Sequence, residues 1–159
     1  MSQGLPKVGL MVWGIISYTH WPNEQGPLRL CLPEGNANAI LIGQYAKEVD
    51  IGRPVVTIMA ALDTDTVSAQ TCDVVYFADM SVQDAGRILR TLTGGYVLTL
   101  GDGQSFCSEG GMFCILPDHT DDKNSNGRFA ANLDAISRSA LRVNPRVLRL
   151  SRPANEGGR

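Results

Sequence analysis

Cys72-Asp-Val-Val-Tyr-Phe77, followed by Ser81 and then by Gly94-Gly95-Tyr96-Val-Leu-Thr-Leu100, is the stretch that decides the fold. Its two apolar runs are nearly continuous, the pattern of strands buried on both faces. Between them Val82, Ala85, Ile88, Leu89 and Leu92 recur at helical spacing. Ser81 stands where an N-cap belongs, and the glycine pair stands where a helix stops. The reading is strand, helix, strand, with helices on both faces of a largely parallel sheet.

Working towards the N-terminus, Pro54-Val-Val-Thr-Ile-Met59 is read as another strand of the same doubly buried kind. Pro27-Leu-Arg-Leu-Cys-Leu32 alternates like a strand and leads through Pro33-Glu-Gly-Asn36 into a short helical pattern, Ala39 to Ala46. Val8 to Ile16 is apolar almost all round and suits a buried helix, with Pro6 before it and Trp21-Pro22 beyond it. Towards the C-terminus, Gly111-Met-Phe-Cys-Ile-Leu116 and Gly127-Arg-Phe-Ala-Ala131 flank a polar loop, Asp118 to Asn126, as two antiparallel strands would. Asn132 and Asp134 are placed to cap a helix over Ala135 to Leu141, and Pro145 to Leu150 reads as a last short helix. The expected fold class is α/β: one domain over residues 7–152, a mixed, largely parallel sheet with a C-terminal antiparallel hairpin, flanked by helices. Residues 1–6 and 153–159 are expected to be flexible ends.

A chain of 159 residues that is 43% hydrophobic is ordinary for a single core. A net charge of -2 and a pI near 5.6 leave no basic footprint, which excludes nucleic acid and anionic membrane surfaces as main partners. No apolar run is long enough to cross a bilayer, so no membrane insertion is expected.

Four cysteines, Cys31, Cys72, Cys107 and Cys114, occur with no CxxC spacing, and disulfides are the leading reading. Cys107 and Cys114 flank what reads as a tight strand-to-strand connection with two glycines inside it, where cross-linked side chains can face each other. Disulfides imply an oxidising compartment. The first residues lack the basic and apolar regions of an export signal, which is therefore expected to lie outside this sequence with Met1 in its place.

Candidate chemistry is sparse. Asp122-Lys-Asn-Ser-Asn-Gly127 matches the first half of a calcium loop, but Leu133 stands where the bidentate carboxylate is required, so a solvated loop is preferred. Cys107, Cys114 and His119 lack the paired short spacing of zinc knuckles. Gly103-Gln-Ser-Phe-Cys107 departs from a nucleophile elbow, the glycine pairs lack the order of a dinucleotide loop, and Asp63 and Asp65 read as loop and cap residues. No catalytic residue, cofactor or metal is assigned, and no enzyme is expected. Trp21, after the buried helix, is either a core plug or a binding anchor, with the plug preferred. Arg138, Arg142, Arg146, Arg149 and Arg152 recur at helix-like spacings as a basic edge, fitted to solvent or to an anionic group or protein.

Trp13-Gly-Ile-Ile-Ser-Tyr-Thr-His-Trp-Pro22, Pro27-Leu-Arg-Leu-Cys31, Gly52-Arg-Pro-Val55, Tyr96 to Leu100, Gly110-Gly-Met-Phe-Cys114 and Arg128-Phe-Ala-Ala-Asn-Leu-Asp134 occur in an order that resembles the YfiR/HmsC family. Asn132 to Ser139, Val143-Asn-Pro145 and Leu148-Arg-Leu-Ser-Arg152 are similar to its YfiR members, so the resemblance runs from Lys7 to Arg152. It implies a periplasmic repressor that contacts the periplasmic sensor part of a membrane diguanylate cyclase, lowers cyclic di-GMP and biofilm formation, is sequestered by an outer-membrane lipoprotein, and forms a homodimer. It also implies the pairings Cys31 with Cys72 and Cys107 with Cys114, and a partner surface of His20, Trp21, Ile136, Arg138, Arg142 and Asn144. The alternative from another class is a periplasmic small-molecule sensor or solute-binding module with an Arg-rich anion site.

With that pairing, chain entropy makes the 31–72 bridge the stronger, at about 4 kcal/mol against about 2.5. Cys31 lies late in its strand and Cys72 early in its own, so a register offset or an irregular strand end is required to join them.

Overall fold

The computed structural model describes residues 7–22, 26–117 and 127–151. The calcium-like loop, His119, Arg152 and both expected flexible ends lie outside the described residues. In chain order the elements are α1 (Lys7–Ser17), β1 (Thr19–His20), β2 (Leu28–Pro33), α2 (Ala37–Tyr45), β3 (Val55–Ala60), β4 (Val74–Phe77), α3 (Val82–Leu92), β5 (Leu98–Asp102), α4 (Gln104–Ser108), β6 (Phe113–Leu116), β7 (Arg128–Ala131), α5 (Leu133–Arg138) and β8 (Arg142–Val143), then a 3-10 helix, Pro145–Leu150. The six-stranded sheet runs β3-β2-β4-β5-β6-β7, parallel except for the antiparallel β6–β7 pair. This is the expected α/β domain, and its parallel strands follow the doubly wound order second, first, third, fourth, fifth.

Alternation along the central strands divides the core between two faces. Leu28, Leu30, Leu32, Val74, Tyr76, Leu98, Leu100 and Phe113 pack against α1 and α2, with Met11, Val12, Trp13, Ile15 and Ile42 beneath them. Cys31, Val75, Phe77 and Cys114 point to the opposite face, against Ala85, Ile88, Leu89 and Leu92 of α3 and Phe106 of α4. Trp13 is buried, and its indole N–H donates to the Ile42 carbonyl at 3.0 Å. Caps sit where small polar residues lead α2, α3 and α5: Asn36 accepts from Ala39 N, Ser81 from Asp84 N, and Asn132 from Ala135 N.

The crossover from β3 to β4 passes over β2 without a helix. Two devices fasten it instead. The Cys31–Cys72 disulfide holds the two Cα atoms 5.8 Å apart. Cys31 is in register with Val75, and Cys72 reaches it because the chain curls before β4, with Cys72 N bonded to Ser68 O. The irregular strand end thus resolves the spacing conflict. Beside it Arg29 grips Asp73 at 3.0 Å through Nε and 2.9 Å through Nη2, and its Nη1 donates to the Gln70 carbonyl.

Burial alone would raise the Asp73 carboxyl, but hydrogen bonds and charge from Arg29 hold it below the usual range. A carboxyl depressed in the fold contributes stability that is complete above its unfolded value of about 3.9 and is lost as pH falls through the folded value. Asp73→Asn is therefore expected to be less stable than wild type in urea at pH 6, with the gap closing below about pH 4. A gap unchanged by acid would refute the assignment.

Four expectations are corrected. β3 is not buried on both faces; it is the edge strand, with Val56 and Met59 exposed. Cys107 does not end a strand: it lies on α4, so its bridge to Cys114 ties a short helix to β6 rather than closing a tight strand-to-strand connection. Asp134 is not the cap of α5 but sits in its first turn, ion-paired to Arg138 at 2.7 Å. That helix stops at Arg138 instead of running to Leu141, because Ser139 leaves helical geometry and its hydroxyl accepts from Leu141 N.

Candidate functional site

β1 and β8 are too short to carry a period, yet they pair antiparallel as a separate two-stranded ribbon. Thr19 lies opposite Val143, and His20 opposite Arg142. The ribbon is anchored by Thr19 Oγ1 donating to Ile15 O at 2.8 Å and by Asn144 N donating to Tyr18 O at 2.9 Å. His20, Trp21, Pro22, Ala140 and Arg142 line an open hollow of about 710 Å³. His20 and Arg142 face solvent there, while Trp21 is only 7% exposed and donates its indole N–H to Asp73 O at 3.3 Å. Trp21 is thus built into the core, with one edge forming the wall of the hollow.

The six residues expected at a partner surface fall into three groups. His20, Trp21 and Arg142 meet at the ribbon. Arg138, at the end of α5, borders a second hollow of about 220 Å³ shared with Arg90, Thr93, Glu109 and Gly110. Ile136 is half-buried against the α1 side of the core, and the Asn144 side chain accepts from Arg146 N, capping the 3-10 helix. Ile136 therefore lies partly beneath the surface, while Asn144 is itself exposed.

The arginines do not share one helix face, as their spacing had suggested. Arg138 ends α5, Arg142 is on β8, and Arg146 and Arg149 are in the 3-10 helix. Extended backbone at Ser139 and Asn144 interrupts the helical period.

The 107–114 bridge is coupled to this surface through one side chain. Asn132 Nδ2 donates to the Cys107 carbonyl at 2.8 Å while its Oδ1 caps α5. The end of α4 and the start of α5 are therefore held by the same amide, a link that the sequence conceals because it joins residues 25 apart.

A third crevice, of about 620 Å³, lies beyond the carboxyl ends of β2, β3 and β4, where a doubly wound sheet commonly takes ligands. Glu34, Asp63, Asp79 and Asp84 line it, and Arg87 there is ion-paired to Asp84 at 2.7 Å. Its field opposes an anion, so the ribbon is the better anion-facing surface. Nearby, the Tyr76 hydroxyl donates to Asp102 Oδ1 at 2.7 Å. Burial raises both groups, so the phenol stays protonated and holds the carboxyl in place. Among the described residues, no three His, Cys, Asp or Glu are grouped to hold a metal ion, and no helix is long and apolar enough to cross a membrane.

These features define a class: a disulfide-fastened, doubly wound α/β domain presenting to solvent a two-stranded ribbon that carries His20 and Arg142. The YfiR/HmsC-like family model matches residues 8–152, and the chain belongs to that family, a regulatory and non-catalytic one of diguanylate cyclase signalling. Two disulfides and this family fit a periplasmic protein. Among solved structures the chain is similar to glycine decarboxylase (P-protein) of the glycine cleavage system in inhibitor-bound form, at 12% identity and a TM-score of 0.46, over 79% of this chain and 32% of that one. A likeness of that size carries no argument about activity.

Proposed function

We propose that this protein is a periplasmic negative regulator that binds and inhibits the periplasmic sensor part of an inner-membrane diguanylate cyclase, lowering cyclic di-GMP and biofilm formation. An outer-membrane lipoprotein relieves the repression by sequestering it. The observation that carries the reading is the family match over residues 8–152, to which the two disulfides add an oxidising compartment. The surface proposed for the cyclase is the ribbon with its flanking helix end: His20, Arg138, Arg142 and Asn144 exposed, Trp21 and Ile136 shaping them from beneath.

Charge reversal tests this surface without disturbing the core, whereas a charge at half-buried Ile136 would confound binding with folding. In a pull-down with the cyclase's periplasmic domain, Arg138→Glu and Arg142→Glu are each expected to weaken binding about tenfold or more. Unchanged affinity in both folded variants would remove this surface.

The alternative is a small-molecule sensor holding an anionic ligand between His20 and Arg142, favoured by the hollow at the ribbon. The same pull-down separates the two readings. The plain repressor binds the cyclase domain with no added metabolite, and the sensor binds or releases it only when an anionic ligand is supplied.

A further inference from the structure

A doubly wound sheet opens a ligand crevice where the helices that follow neighbouring strands leave to opposite faces. Here that point lies between β2 and β4: α2, which follows β2, packs on the α1 face, and α3, which follows β4, packs on the other. The crevice of about 620 Å³ sits there, walled by residues that follow three adjacent strands and by the first turns of α3. Its volume suits a small organic molecule and far exceeds that of a bare ion. The ribbon is at the opposite edge of the sheet, since Trp21 bonds to Asp73 O ahead of β4 and Ala140 N bonds to Gly95 O ahead of β5.

The lining sets the charge of the occupant. Glu34 follows β2, Asp63 follows β3 and Asp79 follows β4, with Asp84 on α3. Arg87, ion-paired to Asp84, is the one basic side chain among the lining residues. Four carboxylates against one guanidinium leave three negative charges in surplus, of which the positive end of α3 at Ser81 offsets about half a charge. The balance calls for at least two cationic centres. Because β3, β2 and β4 are neighbours in that order, Asp63, Glu34 and Asp79 are spread over two strand spacings, about 10 Å, rather than gathered at one point. That spread agrees with the absence, among the described residues, of three His, Cys, Asp or Glu grouped for a metal ion. Much of the remaining lining is apolar, with Leu62, Met80 and Ile88 its largest side chains.

We propose that this crevice binds a linear aliphatic polyamine, its ammonium groups on Glu34, Asp63 and Asp79 and its methylenes on Leu62, Met80 and Ile88. Separated positive charges joined by apolar segments are what a spread of carboxylates over apolar side chains selects. A divalent metal ion would need oxygens converging within about 2.5 Å of one point. An aromatic or quaternary cation would be held by ring faces, and no Phe, Tyr or Trp lines the crevice. Asp79 is fixed at the switch point by its partner across it: with φ at 59°, its Oδ2 accepts from Asn36 Nδ2 at 2.7 Å.

The full oxidised chain, titrated with spermidine in a calorimeter, should show saturable one-to-one binding below about 1 mM that weakens as salt rises. Glu34→Gln and Asp79→Asn remove charge with little change of shape, and Asn keeps both the left-handed backbone and an acceptor for Asn36. Each variant should melt like wild type without ligand yet bind spermidine several-fold more weakly, and the double variant about tenfold or more weakly. Magnesium chloride and butylamine at matched ionic strength should not displace spermidine. Several results would overturn the proposal: no saturable binding, undiminished affinity in the folded double variant, displacement by magnesium or butylamine, or a lysine-rich peptide bound more tightly than spermidine, which would make the crevice a protein-docking groove. The measurement needs no cyclase and alters no residue of the ribbon, so its failure and that of the regulatory reading are distinguishable.

Discussion

Replacing both Cys31 and Cys72 by Ala is expected to lower the unfolding free energy by about 4 kcal/mol, a drop in Tm of about 8–16 °C for a domain of this size. Two contributions combine. The bridge closes a loop with a sequence separation of 41, so its loss restores much chain entropy to the unfolded state. It also fastens the crossover from β3 to β4, which has no helix with which to bury an apolar stripe. Both sulfurs lie in the core, with Cys72 fully enclosed. Thermal melting with amide exchange checks both parts: residues 61–72 should lose protection first, still held by Arg29 through Asp73, Gln70 and Ala69 and by the buried side chain of Val67. Removing Cys107 and Cys114 should cost less, about 2.5 kcal/mol, because the separation is only 7. Equal losses for the two pairs would contradict this division of roles.

The legible and illegible parts of the fold divide along physical lines. β4, α3 and β5 could be read because each long element carries its own period and α3 carries its own cap, Ser81. α1 could be read because eleven residues with an apolar majority have few alternatives. α4 could not: five residues, Gln104–Ser108, show no period, and Gly103 ahead of them offers no side-chain cap. The edge position of β3 was hidden for a different reason. A run of Val, Ile and Met looks the same whether one neighbour or two lie beside it, and strand order is set by long-range pairing. The ribbon was equally invisible as structure, since two-residue strands have no pattern. His20 entered through resemblance and Arg142 first through the spacing of the arginines, and only the antiparallel pairing shows that they share one patch.

The second large effect is expected at Phe106. Its ring lies 4.9 Å from that of Phe77 and occupies a slot made by two missing side chains. A Cβ on Gly101 would stand 2.6 Å from the ring, and one on Gly111 2.1 Å, so both glycines are required for close approach rather than for backbone freedom. Phe106→Ala should open a cavity and cost about 3–5 kcal/mol, whereas Gly111→Ala should overpack the slot and cost about 1–3 kcal/mol or more.

The two substitutions fail in opposite ways, which makes their combination informative. With the ring gone, a methyl at position 111 has space to occupy, so the double variant should be more stable than the sum of the single losses predicts. The consequence reaches the surface proposed for the partner, because α4 is held to the sheet by this ring and by the Cys107–Cys114 bridge, and the Cys107 carbonyl holds the Asn132 cap of α5. Phe106→Ala should therefore speed amide exchange at the start of α5 before the domain melts, and should do so more strongly when Cys107 and Cys114 are also replaced. Strictly additive losses, with exchange at Ala135 unchanged, would show that α4 and α5 are held independently and that the bridge has no mechanical route to the surface carrying Arg138.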